Sequence, residues 1–329
     1  MTDVRARDEL RGRAPGPVGH GLPEAVPGRV CRETEEDFYP EFTRRNRGLV
    51  TEAAQEALYG ARVLVAGCGS TGGAAIEPLT RLGVRRFVLV EPGSYELNNL
   101  NRQDARYTDI GRNKAEVGAE RVLAVNPYAE AEAVTQSVTS ANAETLVAGC
   151  SLVVDGVDVT TPGGWEGKVA LHRAAALARV PVVSGYDMSG TQHVRVYDYR
   201  SGGAPLGGAV TPADLAAGRT VWTLLHRVIP SRVIPPELVE DVMSGMTRPG
   251  YSVPQLVYTS TLFGALAACL AVHLLEGRSV RGSLTVDLHG VVRPAVRNWA
   301  SLPRRIRGRR AWQRFVRGQT QGTAGVRRR

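Results

Sequence analysis

Lysine is almost absent from this chain. Among 41 basic residues only Lys114 and Lys168 are lysines, the rest being arginine. A compact ammonium with three rotatable donors is something arginine does not reproduce, so each lysine invites a phosphate-binding question. Cysteine is also scarce. Cys31, Cys68, Cys150 and Cys269 stand far apart with no C-x-x-C pair, which supports neither a zinc site nor a disulfide framework and suits small buried side chains in a reducing cytoplasm. The N-terminus lacks the apolar core of a signal peptide. Residues 252–275 lack charge, but Pro254, Gln255, Tyr258, Thr259, Ser260, Thr261 and His273 break the run, so a buried helix over Tyr258–Leu275 is expected rather than a membrane span. Acid is missing from residues 301–329, which hold ten Arg. The formal charge of +9 over 329 residues therefore sits in a basic tail, leaving residues 1–300 with 31 basic and 32 acidic groups.

What remains is ordinary for a globular protein, 43% hydrophobic and 22% charged. The central stretch is Ala61 to Lys114. An apolar run, Val63 to Ala66, meets Gly67-Cys68-Gly69-Ser70-Thr71-Gly72; a helical pattern from near Gly72 follows, then a second apolar run, Phe87 to Val90, ending in Glu91. This is a strand, a glycine turn, a helix and a parallel strand with an acid at its C-terminal end. Gly67 supplies the tight turn, Gly69 lets backbone approach a diphosphate, and Gly72 lets helix and strand pack closely. Phosphates favour such a helix N-terminus, where unpaired N–H groups and the helix dipole converge, and Glu91 suits ribose hydroxyls. The glycine pattern alone leaves the nucleotide open, NAD included.

Residues 1–40 are rich in Pro, Gly and charge and are expected to be a disordered arm. A short helix over 51–60, capped by Thr51 and ended by Gly60, leads into the nucleotide unit. Further on, helices are expected over Lys114–Val125, Ala141–Ala148 and Trp165–Ala178, with strands over Ala133–Val138, Leu152–Asp155, Val180–Ser184 and Val194–Tyr199. The alternation predicts an α/β fold: a doubly wound, Rossmann-like, mostly parallel sheet with a C-terminal crossover insertion and additional strands. The organisation expected is a nucleotide-binding domain over 41–200, a crossover or substrate-binding insertion over 201–254 with short helices at Pro212–Ala217 and Pro235–Ser244, a closing helix and strand (Ser283–Asp287) within 255–300, and the tail 301–329. His193 and His226 are expected to be structural. The tail interleaves cations with Ile306, Trp312, Phe315 and Val316; it is either solvated or docks on RNA or an anionic membrane through 304–317.

The segments Asn46-Arg47, Glu91-Pro92-Gly93, Asn99-Leu100-Asn101-Arg102-Gln103, Gly111-Arg112-Asn113-Lys114 and Asp155-Gly156-Val157-Asp158 resemble, in this order and spacing, the ThiF/MoeB family of bacterial relatives of the ubiquitin-activating enzymes. The resemblance covers about residues 42–200 and the final helix and strand. It implies an ATP-dependent adenylyltransferase, a homodimer that activates a carboxylate, such as the C-terminus of a ubiquitin-like sulfur carrier or a small peptide, as an acyl adenylate with release of diphosphate. It implies Glu91 on the ribose, Asn99 near the phosphates, Arg102 and Lys114 on the triphosphate, Asp158 on Mg²⁺, and Arg47 reaching across a dimer interface. Taken singly, Asn99, Arg102 and Lys114 also suit ordinary surface positions, and Asp158 suits a helix N-cap.

Departures from the family pattern qualify the expectation. Gly93 stands where the family has a second acid, the zinc-binding cysteine pairs are missing, and 201–254 holds no cysteine for covalent transfer. Adenylation without zinc and without transfer through that position is expected. The alternatives are an enzyme resembling tRNA threonylcarbamoyladenosine dehydratase, suggested by Lys114-Ala115-Glu116-Val117 and the basic tail, an NAD-dependent oxidoreductase, and a non-catalytic partner subunit.

Overall fold

Continuous apolar runs become central strands, and the glycine-marked breaks between them become the turns of a doubly wound sheet. The computed structural model describes residues 34–325, with side chains through 319. Helices α1 (Glu35–Phe42) and α2 (Glu52–Gly60) lead into β1 (Arg62–Ala66), α3 (Ser70–Leu82) and β2 (Arg86–Val90). Next come α4 (Lys114–Val125), β3 (Glu130–Val134), α5 (Ala143–Val147), β4 (Leu152–Asp155), α6 (Pro162–Ala178), β5 (Val182–Met188) and β6 (Thr191–Tyr197). Three helices follow, α7 (Pro212–Ala216), α8 (Val221–Val228) and α9 (Pro236–Gly245). The described chain closes with α10 (Val257–Leu275), β7 (Ser283–Asp287), α11 (Leu288–Val292) and α12 (Ala295–Gly325).

The sheet order is β3-β2-β1-β4-β5-β6-β7. The five strands from β3 to β5 are parallel, and β6 and β7 join antiparallel. Strand alternation divides the core between the two faces. Val63, Val65, Phe87, Leu89 and Val154 pack with Ile76 and Leu79 of α3 and Phe263 of α10, whereas Leu64, Ala66, Val88 and Val153 pack with Trp165 and Leu171 of α6. Among the described residues α10 is the one helix long and apolar enough to cross a membrane. Here it lies along α3 so closely that a Cβ on Gly264 would come within 2.1 Å of the Ala74 carbonyl oxygen.

Several expected boundaries move, each for a tertiary reason. β3 runs over Glu130–Val134 instead of 133–138, because it pairs residue for residue with β2, which ends at Val90 opposite Val134. β5 extends beyond its apolar run through Met188, and β6 begins at Thr191, because the two close a hairpin in which Asp187 pairs with Gln192. Residues 1–33 of the expected arm lie outside the described residues, but Glu35–Phe42 is ordered as α1. Thr34 caps it, and the Tyr39 hydroxyl donates to the Gly83 carbonyl at 2.9 Å. The insertion contains α8, which was not expected, besides the two anticipated helices.

The tail is corrected most. Residues 301–325 continue one long helix, α12, whose Trp312 and Val316 are buried against Val239 and Val242 of α9. Trp312 Nε1 donates to His226 Nδ1 at 3.2 Å, and Arg304 pairs with Glu240. The apolar residues that suggested an external surface therefore serve, in part, an internal one. His193 is fully buried, with Nδ1 2.8 Å from the Thr285 hydroxyl, as expected of a structural histidine.

Candidate active site

β1 runs on to β2 on one side while β4 returns on the other, so the sheet's topological switch lies between β1 and β4. Ligands of open α/β sheets bind outside the strand C-termini at such a point. The loops that meet there are the glycine turn after β1 and the Gly156–Asp158 loop after β4. Gly67 has φ +84°, in the left-handed region that favours glycine. A Cβ on Gly72 would fall 2.0 Å from the Gly67 carbonyl oxygen, so this glycine is what lets α3 start directly on β1. Gly69 is different. A Cβ there would meet only the Gln103 side chain, at 3.8 Å, so the space above it is open. α3 begins at Ser70, two residues before the expected Gly72, which places the N–H groups of Ser70 to Gly72 on this opening.

The acid after β2 fastens the turn. Glu91 Oε2 accepts from the Cys68 N–H at 3.0 Å and Oε1 from the Gly93 N–H at 2.9 Å. Lys114 enters from the first residue of α4, whose N-cap Asn113 accepts from Ala115 and Glu116 and donates to the Glu91 carbonyl. Its Nζ lies 5.8 Å from the Tyr95 ring centroid, and it forms no ion pair among the described residues. A Cβ on Gly93 would come within 3.9 Å of that Nζ. An acid at Gly93 would thus have stood beside Lys114 and against Glu91, whose Oε1 lies 2.9 Å from the same Cβ position.

The loop between β2 and α4 presents Arg102. Nε donates to Gln255 Oε1 at 2.7 Å and Nη1 to the Asn98 carbonyl at 2.6 Å, while the Ser260 hydroxyl holds the Arg102 carbonyl at 3.0 Å. These bonds tie the loop to the start of α10. Burial lowers the Arg102 pKa, and the Asp187 and Glu96 carboxylates oppose that shift. Asn99 is 5% exposed; its Oδ1 accepts from the Glu96 N–H at 3.1 Å and its Nδ2 donates to Asn98 Oδ1, so it shapes the loop that carries Arg102.

After β4 the two acids of Asp155-Gly156-Val157-Asp158 part company. Asp158 is exposed; Oδ1 accepts from the N–H and hydroxyl of Thr160 at 2.8 and 2.7 Å, and no bond to Oδ2 is formed among the described residues. Thr161, not Asp158, caps α6. Asp155 is wholly buried, and its Oδ2 accepts from Lys168 Nζ, from His172 Nε2 at 2.9 Å and from the Ser184 hydroxyl at 2.6 Å. Burial alone would raise the Asp155 pKa, but the Lys168 ammonium and the His172 hydrogen bond override it and hold the carboxyl well below the usual range. Burial lowers the His172 pKa; the neutral ring gives its Nε2–H to Asp155 and accepts at Nδ1 from Tyr199, 2.9 Å away. Lys168 is therefore a buried counter-ion that stiffens the floor of the site, out of reach of a phosphate.

Arg47 is not brought here. Its neighbour Asn46 donates to the Leu82 carbonyl at 3.2 Å, at the opposite end of α3. Thirteen helical residues separate that end from the glycine turn, roughly 20 Å at 1.5 Å per residue. Two residues gathered at the site were given no role by the sequence. Gly156 packs against the glycine turn, a Cβ on it falling 2.5 Å from the Gly72 nitrogen. Asp187, at the end of β5, accepts at Oδ2 from the Ser70 and Thr71 hydroxyls at 3.3 and 3.2 Å. Gly156 was visible in the D-G-V-D string; Asp187 carried no local signal, because only the β5–β6 hairpin brings it to α3. Among the described residues no group of three or more His, Cys, Asp or Glu gathers to hold a metal ion.

The ThiF family model matches residues 43–287, from the turn after α1 to the end of β7. The chain belongs to the ThiF family. Within 165 residues it is 30% identical to the molybdopterin-synthase adenylyltransferase of Salmonella typhimurium, a match covering 49% of this chain and 64% of that protein. The sulfur carrier protein adenylyltransferase of Thermus thermophilus is 36% identical over 132 residues, 40% of this chain and 47% of that one. The chain thus spans less than two thirds of the length of these curated relatives. Among solved structures, Escherichia coli tRNA N6-threonylcarbamoyladenosine dehydratase in complex with ATP superposes with a TM-score of 0.50 at 25% identity, covering 73% of this chain and 96% of that one.

Proposed function

We propose that this member of the ThiF family is an adenylyltransferase: it uses ATP to activate a carboxylate as an acyl adenylate and releases diphosphate. The observation that carries this reading is the unpaired Lys114 ammonium beside an open glycine turn, with Arg102 held in place by Gln255 and Asn98. Attack of a carboxylate on a phosphate brings two anions together, and charge then builds on the bridging and non-bridging oxygens; fixed cations favour that arrangement more than they favour the separated reactants. A dinucleotide-dependent oxidoreductase would leave both cations without a task.

In this reading the open space over Gly69 and the α3 N-terminus receive the phosphates, and Glu91 addresses the ribose with lone pairs its two backbone bonds leave free. Asn99 contributes by shaping the phosphate-facing loop. Asp158 would hold Mg²⁺ through its unbonded Oδ2, and the ion would supply positive charge against the phosphates. Arg47 lies too far from the turn of its own chain to serve it, so its role requires a second copy and a homodimer. The acyl substrate is the C-terminus of a ubiquitin-like sulfur carrier or a small peptide, in a cytoplasmic setting. With no cysteine in 201–254, the adenylate leaves the site without passing to a thiol there.

The likeness to the ATP-bound dehydratase favours a second reading, activation of a carboxylate on tRNA. The test is ATP–diphosphate exchange with a purified sulfur carrier ending in Gly-Gly and, separately, with carboxylate-modified tRNA. Exchange that depends on the carrier and vanishes in Lys114→Ala supports the first reading; exchange with tRNA alone replaces it by the second.

A further inference from the structure

β7 ends the sheet on one side, and among the described residues no strand pairs with its outer edge. The alternation of hydrogen bonds fixes which groups that edge presents. Val196 N–H donates to the Gly282 carbonyl at 3.0 Å, and Leu288 N–H to the Gly190 carbonyl at 2.9 Å. In this antiparallel register Leu284 and Val286 bond to β6, so Ser283, Thr285 and Asp287 turn their N–H and C=O groups outward. Such an edge is a template for another strand, and folded chains commonly blunt it with a proline, a bulge or a charge. β7 has no proline and an unbroken register. Its one charged residue, Asp287, is spent on Arg305 and on the Gly290 N–H.

Beside the edge lies an apolar surface. A hollow of about 530 Å³ lies between the strand residues Thr285 and Val286 and the side chains of Val291, Trp299 and Leu302 on α11 and α12. Val291 is 72% and Trp299 76% exposed. Trp312 and Val316 are buried on the same helix, so α12 sinks one end of its apolar series and leaves the other in water. Large apolar side chains gathered on one exposed face mark a contact surface.

The charge next to this surface selects the partner. A second hollow, of about 330 Å³, adjoins the first along Thr285, Leu302 and Arg305. Five arginines line it against two acids. Both acids are engaged, Asp287 by Arg305 and Glu237 by His289 at 3.4 Å, and Arg304 pairs with Glu240 outside the hollow. Arg232, Arg293 and Arg309 are left without an ion pair among the described residues. Cations collected around one hollow repel each other, and an incoming carboxylate relieves that repulsion. A second copy of the chain is the wrong occupant. A two-fold contact sets each groove against the identical groove, so the unpaired arginines of both copies would face one another.

We propose that the outer edge of β7, with the groove between it and α12, is a docking site for an extended acidic segment of a partner protein. The segment adds a strand to β7 through the outward groups of Ser283, Thr285 and Asp287. Every second side chain of that strand enters the groove, apolar over Trp299 and acidic toward Arg293 and Arg309. Backbone pairing supplies affinity, and the arginines decide which strand is accepted. The site stands apart from the nucleotide turn and does not depend on the adenylation reading.

The probe is the peptide acetyl-Glu-Thr-Glu-Thr-Val-Thr-Val-Thr-Glu-Thr-Glu-amide, whose sequence reads alike in both directions. One control replaces every Glu by Lys; another is N-methylated along its whole backbone and cannot join a sheet edge. Calorimetry on the full chain at low salt is combined with amide hydrogen exchange over 283–287. The acidic peptide is expected to bind and to slow exchange over 283–287, and neither control to bind. Arg293→Glu combined with Arg309→Glu should weaken binding roughly tenfold through loss of two ion pairs. Trp299→Ala should weaken it by roughly the same factor. Both variants should keep the wild-type urea midpoint, because these side chains do not belong to the core.

Failure of the acidic peptide to bind overturns the proposal, as does equal binding of the lysine peptide. Binding undiminished in the arginine double variant, or without slowed exchange over 283–287, overturns it too. A dimer that sediments as such in wild type and dissociates in Trp299→Ala gives the surface to a second copy instead. Binding of single-stranded oligouridylate that the arginine double variant loses, with no binding of the acidic peptide, gives it to RNA.

Discussion

Gly67 and Gly156 interlock across the switch point: a Cβ on Gly67 would lie 2.4 Å from the Gly156 carbonyl oxygen. The contact joins the loop after β1 to the loop after β4, so the nucleotide turn and the Asp158 loop share one support. Gly156→Ala is expected to cost about 1–3 kcal/mol by overpacking. Gly67→Ala adds the penalty of a left-handed backbone, for about 3 kcal/mol in all. Urea denaturation checks both, and midpoints equal to wild type would show that the loops are not mutually braced.

Lys168 and Asp155 form a buried pair under the same loops. Lys168→Met leaves a buried carboxylate without its counter-ion and should destabilise the fold by about 3–5 kcal/mol. Adding Asp155→Asn should recover much of that loss, because the uncompensated charge is gone. The sign with pH follows from the depressed Asp155 pKa. Its contribution is complete above the ordinary carboxylate value, about 3.9, and is lost as pH falls below it. Urea midpoints from pH 7 to pH 3 should therefore drop at the acid end in wild type and flatten in the double variant.

Asp187 has the opposite sign. Burial is the largest influence on it, and its pKa is pushed up to about 6. A folded value above the unfolded one means that ionisation opposes folding at neutral pH, with the opposition relieved as pH falls from 6 toward 4. Asp187→Asn is expected to be more stable than wild type at pH 8, by an amount that shrinks on acidification. Thermal unfolding of the two proteins at pH 8 and pH 5 checks this; a constant difference would exclude the shift as its cause.

Trp312 is 4% exposed where α12 meets α8 and α9. Trp312→Ala should cost about 3–5 kcal/mol. It should also release the Arg-rich end of the chain, so trypsin ought to cleave within 304–317 well before the sheet unfolds. Cleavage at the wild-type rate would place the anchor of α12 elsewhere.

The parallel sheet, the glycine turn and the placement of Glu91, Arg102 and Lys114 were legible in the sequence, because each rests on a local pattern. Apolar runs of four or five residues make buried strands, and the glycines at 67 and 72 meet steric demands that act over a few residues. What was not legible depended on distant partners. Asp187 lies beyond the apolar run of β5 and takes its meaning from Ser70 and Thr71, more than a hundred positions earlier. Lys168 looked like a phosphate candidate, since nothing near it in sequence revealed Asp155 as its buried partner. The basic tail read as an external surface because its composition does not show that Val239 and Val242 await Trp312.

The central claim is that the open turn with its free ammonium binds ATP. Titration calorimetry with ATP·Mg²⁺ and, separately, with NAD, on wild type and Lys114→Ala, tests it most directly. The account predicts Mg²⁺-dependent ATP binding by wild type, weakened roughly 10- to 100-fold in Lys114→Ala by loss of a charge-assisted contact, and no binding of NAD. Binding of NAD without ATP, or ATP affinity indifferent to Lys114, would contradict it.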